Sequence, residues 1–99
     1  MLIKITPNEK GNPPGKLADA ELQFTEGPLT GLRLIGFSIW ERRGGTEKYV
    51  TFPARSYAVN GERRSFALLR PTTDITDNYS LRDAILNAYQ AQIEEYAKS

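Results

Sequence analysis

The chain contains neither cysteine nor histidine in its 99 residues. Without cysteine it forms no disulfide, which is typical of proteins that stay in the reducing cytoplasm. The absence of both residue types also removes the usual ligands of zinc, copper and haem. The Ser-His-Asp and Cys-His catalytic arrangements are excluded within one chain for the same reason. We therefore expect no cofactor, no metal and no enzymatic activity, and a cytoplasmic location.

Long apolar runs and phosphate-binding motifs are absent as well. No segment is long and apolar enough to span a membrane, and the N-terminus lacks the apolar run of a signal peptide. Neither the Walker A motif nor the glycine-rich dinucleotide fingerprint occurs, so no small-molecule substrate is indicated. The length predicts a single domain over residues 1–99, with enough chain for one modest core.

Positive charge is scarce at both ends of the chain and concentrated in the middle. Residues 33–70 carry a net charge of +5, whereas residues 1–32 carry −1 and residues 71–99 carry −3. Seven of the eight cations in the middle segment are arginine, which binds phosphate in bidentate fashion and stacks on flat rings. Aromatic residues are interleaved with them. This composition is typical of nucleic-acid-binding surfaces, although a charged surface over an ordinary aromatic core has the same composition.

Hydrophobic periodicity predicts several strands followed by one helix. Short strands are expected at residues 2–6, 18–24, 32–40, 48–54 and 64–69. Ser80 is expected to cap the helix with Asp83 as its capping partner, and apolar residues recur at helical spacing beyond it. They are Leu81, Ala84, Ile85, Ala88, Tyr89, Ile93 and Tyr96. The order predicts an α+β fold, a small antiparallel sheet of about four or five strands with one C-terminal helix.

Two places in the predicted strands are irregular. Leu34 and Ile35 are adjacent apolar residues followed by Gly36. Either both faces of this strand are buried, in a dimer for example, or a bulge switches the face. One helix is too little to cover two sheet faces in a chain of this size, so we expect a homodimer. Further along, Pro53 is expected to end the ladder of its strand or to lie on an edge.

The predicted turns carry the candidate binding residues. The pair Arg42-Arg43 precedes the glycine-rich hairpin tip Gly44-Gly45. A second tight turn, Asn60-Gly61, precedes the pair Arg63-Arg64. Guanidinium groups on two hairpin tips are suited to reaching a phosphate backbone.

Two aromatic residues near these turns are candidates for stacking on bases. Trp40 precedes the first tip, and Tyr57 precedes the second turn. Stacking of a base on an aromatic ring contributes about 1–3 kcal/mol. The alternative for Trp40 is a structural anchor in the core, since tryptophan is highly buried on average.

Four segments carry a resemblance to a known family. They are Leu32-Arg-Leu-Ile-Gly-Phe37, Tyr49-Val-Thr-Phe-Pro-Ala-Arg55, Phe66-Ala-Leu-Leu-Arg-Pro71 and Leu81-Arg-Asp-Ala-Ile-Leu-Asn-Ala-Tyr89. In order and spacing the chain resembles the SpoVG-like family, the stage V sporulation protein G group of small bacterial proteins. The resemblance extends from about Lys16 to Tyr89.

The resemblance implies a small antiparallel sheet with a C-terminal helix, dimerised through sheet elements. It also implies binding to DNA and RNA in a regulatory role. Pro53 and Arg55 match the proline and the basic residue that follow the family's central hairpin. Arg82 lies at the helix start, which in the family is linked to nucleic-acid preference. The family is often basic just before this helix, whereas the present chain has three aspartates within residues 74–83.

We therefore expect a dimeric regulator that binds nucleic acid, DNA or RNA, and that is not an enzyme. Because the acidic helix start repels phosphate, the hairpins are expected to supply the main contacts. The candidate binding residues are Arg42, Arg43, Arg55, Arg63, Arg64 and Arg82, with Trp40 and Tyr57 as stacking residues. The alternative is a protein–protein interaction module of the same fold, in which a sheet edge or the helix binds another protein and the arginines meet acidic partners.

Overall fold

Six strands precede one helix in the computed structural model, which describes residues 1–42, 45, 47–72 and 79–98. The elements are β1 (Leu2–Pro7), β2 (Lys16–Gln23), β3 (Arg33–Glu41), β4 (Lys48–Thr51), β5 (Ala54–Val59), β6 (Glu62–Ala67) and α1 (Tyr79–Lys98). The predicted α+β class is confirmed. The strands are divided between two antiparallel sheets rather than forming one.

The larger sheet is an antiparallel meander with the strand order β1-β2-β3-β4. The alternation predicted for β2 is present, because Ala18, Ala20 and Leu22 are all buried on one face, which we call the inner face. Helix α1 packs against this inner face and contributes one fully buried side chain. The core consists of Ile5, Ala18, Ala20, Leu22, Phe37, Ile39 and Ile85. The opposite, outer face presents Asp19 and Trp40.

A bulge in β3 explains the adjacent apolar residues of that strand. Between its pairs with Ala20 and Leu22, β3 carries two residues opposite a single residue of β2. The extra residue forms a bulge at Ile35 and Gly36, which keeps Leu34 half-buried on the inner face. Ile35 is 63% exposed. For the single chain, the prediction of a bulge is therefore confirmed. The alternative prediction, that both faces of this strand are buried, is wrong.

The chain leaves the larger sheet at Pro53. The strand predicted over residues 48–54 ends earlier, and Phe52 packs edge-on against Phe37 with ring centroids 5.3 Å apart. Pro53 is buried and has no N–H to donate to a ladder, so the predicted strand end is confirmed. From Ala54 onward the chain belongs to the second sheet.

The second sheet is a two-stranded ribbon formed by β5 and β6, which the turn Asn60-Gly61 joins. The φ angles of Asn60 and Gly61 are +51° and +81°, a combination typical of a type I′ hairpin turn. All six residues of β5 and all six of β6 are exposed. The radius of gyration is 15.3 Å, whereas a compact chain of this length has about 13 Å. The ribbon therefore projects from the body of the protein.

Helix α1 uses only part of its apolar stripe for the core. It begins at Tyr79, so Ser80 lies inside the first turn and not at the predicted cap position. Ile85 is buried and Tyr89 is half-buried, whereas Ile93 and Tyr96 are exposed. Among the described residues, no helix combines the length and the apolar character that a membrane span requires.

Candidate nucleic-acid interface

The structure distributes the predicted binding residues over three elements. Trp40 and Arg42 lie at the end of β3, Arg82 lies in the first turns of α1, and the others belong to the ribbon. The ribbon residues are Arg55, Tyr57, Arg63 and Arg64. Arg43 and the adjacent Gly44 lie outside the described residues.

One face of the ribbon combines arginine with aromatic side chains. Arg55 faces Phe66 across the ladder, and Tyr57 faces Arg64. Because residues two apart on a strand share a face, the two arginines occupy one diagonal of this face and the two rings occupy the other. The ring centroids of Tyr57 and Phe66 are 5.8 Å apart, with an angle of 59° between their planes. We call these four residues the aromatic–arginine face.

The other face of the ribbon is built mainly from small residues. They are Ala54, Ser56, Ala58, Ser65 and Ala67, together with Arg63 opposite Ala58. Arg63 and Arg64 therefore point to opposite faces, as neighbours on a strand must. They do not form the basic pair that the sequence motif indicates.

Most of the positive charge on the ribbon is not neutralised. Arg64 Nη2 lies 3.3 Å from Glu62 Oε2, but both side chains are exposed, and such pairs are weak in water. No carboxylate among the described residues lies within ion-pair distance of Arg55 or Arg63.

Trp40 belongs to the outer face of the larger sheet and not to the core. Its indole lies nearly parallel to the Tyr49 ring, with 12° between the planes and 6.4 Å between the centroids. Its Nε1 donates a hydrogen bond of 2.9 Å to Thr51 Oγ1. Two cross-strand partners on β4 thus hold this half-buried ring in place.

Arg42 is engaged within its own hairpin. Its guanidinium carbon lies 5.1 Å from the centre of the Tyr49 ring, within the range of a cation–π contact. Its Nε lies 3.5 Å from Glu47 Oε2. A phosphate at this tip therefore competes with a contact that Arg42 already makes.

Arg82 is half-buried near the start of α1. Its Nε lies 3.7 Å from Asp83 Oδ1. The neighbouring carboxylate opposes the approach of phosphate at this position. The aspartates Asp74 and Asp77 lie outside the described residues.

Two titratable groups with a shifted pKa lie away from the ribbon. A hydrogen bond from the Gln23 amide, 3.1 Å long, lowers the pKa of Glu21, and the charge of Arg33 lowers it further. Burial raises the pKa of the Tyr89 phenol, and the negative charge of Glu41 adds to this effect. The described residues contain no group of three or more carboxylates able to hold a metal ion.

Sequence reasoning missed Phe66 as a site residue. A signal for it was present, because a two-residue turn at Asn60-Gly61 fixes the register of both strands. Counting outward from that turn pairs Tyr57 with Arg64 and Arg55 with Phe66.

Comparisons of the chain with family models, with curated proteins and with solved structures found no match.

Proposed function

We propose that this protein is a dimeric, non-enzymatic regulator that binds nucleic acid through its projecting ribbon. The observation that carries this proposal is the aromatic–arginine face, on which arginines and exposed rings alternate. Arginine binds phosphate in bidentate fashion, and aromatic rings accept bases by stacking. The regulatory role rests on the resemblance to the SpoVG-like family.

Electrostatics favour the ribbon as the binding site over the first hairpin and over the start of α1. The ribbon carries three arginines and one glutamate, so its net charge is +2. Arg42 is held over the Tyr49 ring, and Arg82 is close to Asp83. On the ribbon, by contrast, neither Arg55 nor Arg63 has a carboxylate within ion-pair distance among the described residues. Phosphate binding releases counterions only where cationic side chains are available. The ribbon therefore offers the larger gain in binding free energy.

The isolation of the ribbon supports a dimer. A two-stranded ribbon with exposed faces is marginally stable by itself, and its outer edges carry unpaired backbone groups. A second copy of the chain supplies the missing strand or sheet at these edges. The exposed Ile35 adds apolar area that a partner copy would cover.

Salt titrations of binding test this proposal. Single-stranded DNA, duplex DNA and RNA of equal length are compared by fluorescence anisotropy over a range of salt concentrations. Arg55→Gln should weaken binding to all of them and flatten the logarithmic salt slope by about 0.7–0.9 per lost phosphate contact. Lys10→Gln is the matched control, since it removes one charge from an exposed loop outside the ribbon.

Arg82→Gln separates the ribbon from the helix start. We expect it to reduce binding less than Arg55→Gln does. If Arg82→Gln abolishes binding while Arg55→Gln binds as the wild type does, the interface lies at the helix.

A protein-interaction module of the same fold is the second candidate function. The exposed Ile93 and Tyr96 on the distal part of α1 favour it, because a partner that covers them would bury apolar area. This second function is favoured if the wild-type protein binds none of the nucleic acids even at low salt.

A further inference from the structure

The two exposed rings of the ribbon indicate which form of nucleic acid this face accepts. Tyr57 is 40% exposed and Phe66 is 42% exposed. Aromatic side chains usually contribute their large apolar area to a core or an interface. On the ribbon, both rings remain open to solvent on a surface that projects from the body.

The positive charge on the same face favours a polyanion as the ligand. Arg55 and Arg64 flank the two rings on the opposite diagonal of the ladder. An apolar protein surface would leave the Arg55 charge without a partner, whereas a phosphate chain supplies one for each arginine.

We infer that the aromatic–arginine face binds unpaired bases of a single-stranded nucleic acid, with bases stacked on Tyr57 and Phe66 and phosphates held by Arg55 and Arg64. This inference rests on the proposed function. In a duplex the base faces are covered by their neighbours, and only base edges are open in the grooves. A ring can therefore stack on a base only where the base is unpaired and unstacked.

Two further side chains lie on this face. They are Val59 and Glu62. Direct readout in a groove relies mostly on Arg, Asn, Gln and Lys, and of these four types this face carries arginine alone. Single-stranded DNA and single-stranded RNA present the same base faces, so both belong to the class that we propose.

The first experiment separates base stacking from phosphate contact in the wild-type protein. Its affinity is measured for four oligonucleotides of equal length: single-stranded DNA, single-stranded RNA, a fully paired DNA duplex and an abasic DNA strand. The abasic strand keeps the phosphates but has no bases. Loss of stacking on one ring corresponds to about a 5- to 150-fold loss of affinity. We therefore expect the abasic strand and the duplex to bind at least about 5-fold more weakly than a single strand.

The second experiment assigns the effect to the rings. Tyr57→Leu and Phe66→Leu should each weaken binding to single strands by about 5-fold or more while leaving the affinity for the abasic strand unchanged. Tyr57→Phe keeps the ring and should bind as the wild type does. Tyr49→Leu is the matched control, because it removes an aromatic ring of the same kind from the larger sheet. Thermal melting verifies that each variant is folded.

Failure of the inference differs from failure of the proposed function. If the wild type binds the abasic strand or the duplex as tightly as a normal single strand, stacking is excluded and phosphate binding remains. Unchanged binding by folded Tyr57→Leu and Phe66→Leu leads to the same conclusion. If no oligonucleotide binds at low salt, both the proposed function and the inference are overturned. If the leucine variants do not fold, the inference is tested by the wild-type protein alone, through its affinities for the abasic and the normal strand.

Discussion

A Cβ atom placed on Gly36 would lie 3.0 Å from the Cβ atom of Pro53. Gly36 forms the bulge of β3, and Pro53 is the buried residue at which the chain leaves the larger sheet. The backbone N–H of Leu68 donates a hydrogen bond of 2.9 Å to the Pro53 carbonyl and so closes the base of the ribbon. The absence of a side chain at position 36 thus allows the ribbon to be joined to the sheet at this point.

Gly36→Ala is expected to destabilise the protein for two reasons. The φ angle of +109° is one that residues with a Cβ rarely adopt, and such strain costs about 1–3 kcal/mol. The contact with Pro53 adds to this cost. Gly31→Ala is the matched control, since its φ is +87° but no atom lies within 4 Å of the added Cβ. Urea unfolding measures both variants, and an equal loss of stability would mean that the Pro53 contact is unimportant.

Ile85→Ala should destabilise the fold by about 2–5 kcal/mol, because its fully buried side chain joins α1 to the sheet. Ile93→Ala removes the same atoms from the exposed part of the helix and should change the free energy of unfolding by about 0.5 kcal/mol or less. The free energies are obtained from chemical denaturation. Similar losses in the two variants would show that the distal helix is also packed in solution.

The protein should have twice the chain mass of 11.1 kDa in solution. The ribbon has neither a third strand nor a covering helix among the described residues, so we expect a partner copy to stabilise it. Size exclusion with light scattering at micromolar concentration measures the mass. A monomer mass throughout the dilution series would contradict the dimer.

Stability should decrease in acid partly through Glu21, whose side chain is only 15% exposed. Its pKa in the folded protein is below the ordinary value of 4.5, so the group stabilises the fold above that pH. This contribution is lost as the pH falls below 4.5 through the lowered pKa. Glu21→Gln should therefore flatten the pH dependence of thermal unfolding in this range. Glu9→Gln is the control, because it removes a carboxylate from an exposed position in the loop after β1.

The fluorescence of Trp40, the single tryptophan, should show whether bases stack on the ribbon or on the first hairpin. Its ring is stacked against Tyr49 and hydrogen-bonded to Thr51 on the larger sheet. Saturation with a single-stranded oligonucleotide should therefore leave its emission nearly unchanged. Strong quenching would indicate stacking of a base on Trp40 and move the interface to the first hairpin. Thr51→Val removes the acceptor of the Trp40 hydrogen bond. Its emission spectrum provides a reference for a changed environment of the indole.

Several features of the fold were predictable because their causes are local in the chain. The alternation over residues 18–24 predicted a half-buried strand, and Ala18, Ala20 and Leu22 are buried as expected. Pro53 predicted a strand end because it lacks an N–H. Asn60-Gly61 predicted a tight turn because both residues tolerate a positive φ.

The candidate site was predictable only in part. Arg55 was named from the family resemblance, and Tyr57 and Arg64 from their position near a predicted turn. The structure brings the three together on one face. Arg42 and Trp40 were named by the same reasoning but form contacts within their own hairpin. The sequence shows which side chains are available, but the contacts that form in the folded hairpin decide which of them are already engaged.

The sequence by itself determined the α+β order and the turn of the ribbon, because periodicity and backbone preference act over a few residues. Only the tertiary structure decided that Ile35 belongs to a bulge and that β5 and β6 leave the sheet as a separate ribbon. Both outcomes depend on contacts between distant segments: the pairing of β3 with β2, and the packing of Pro53 on Gly36. A pattern in one segment does not specify the segment against which it packs.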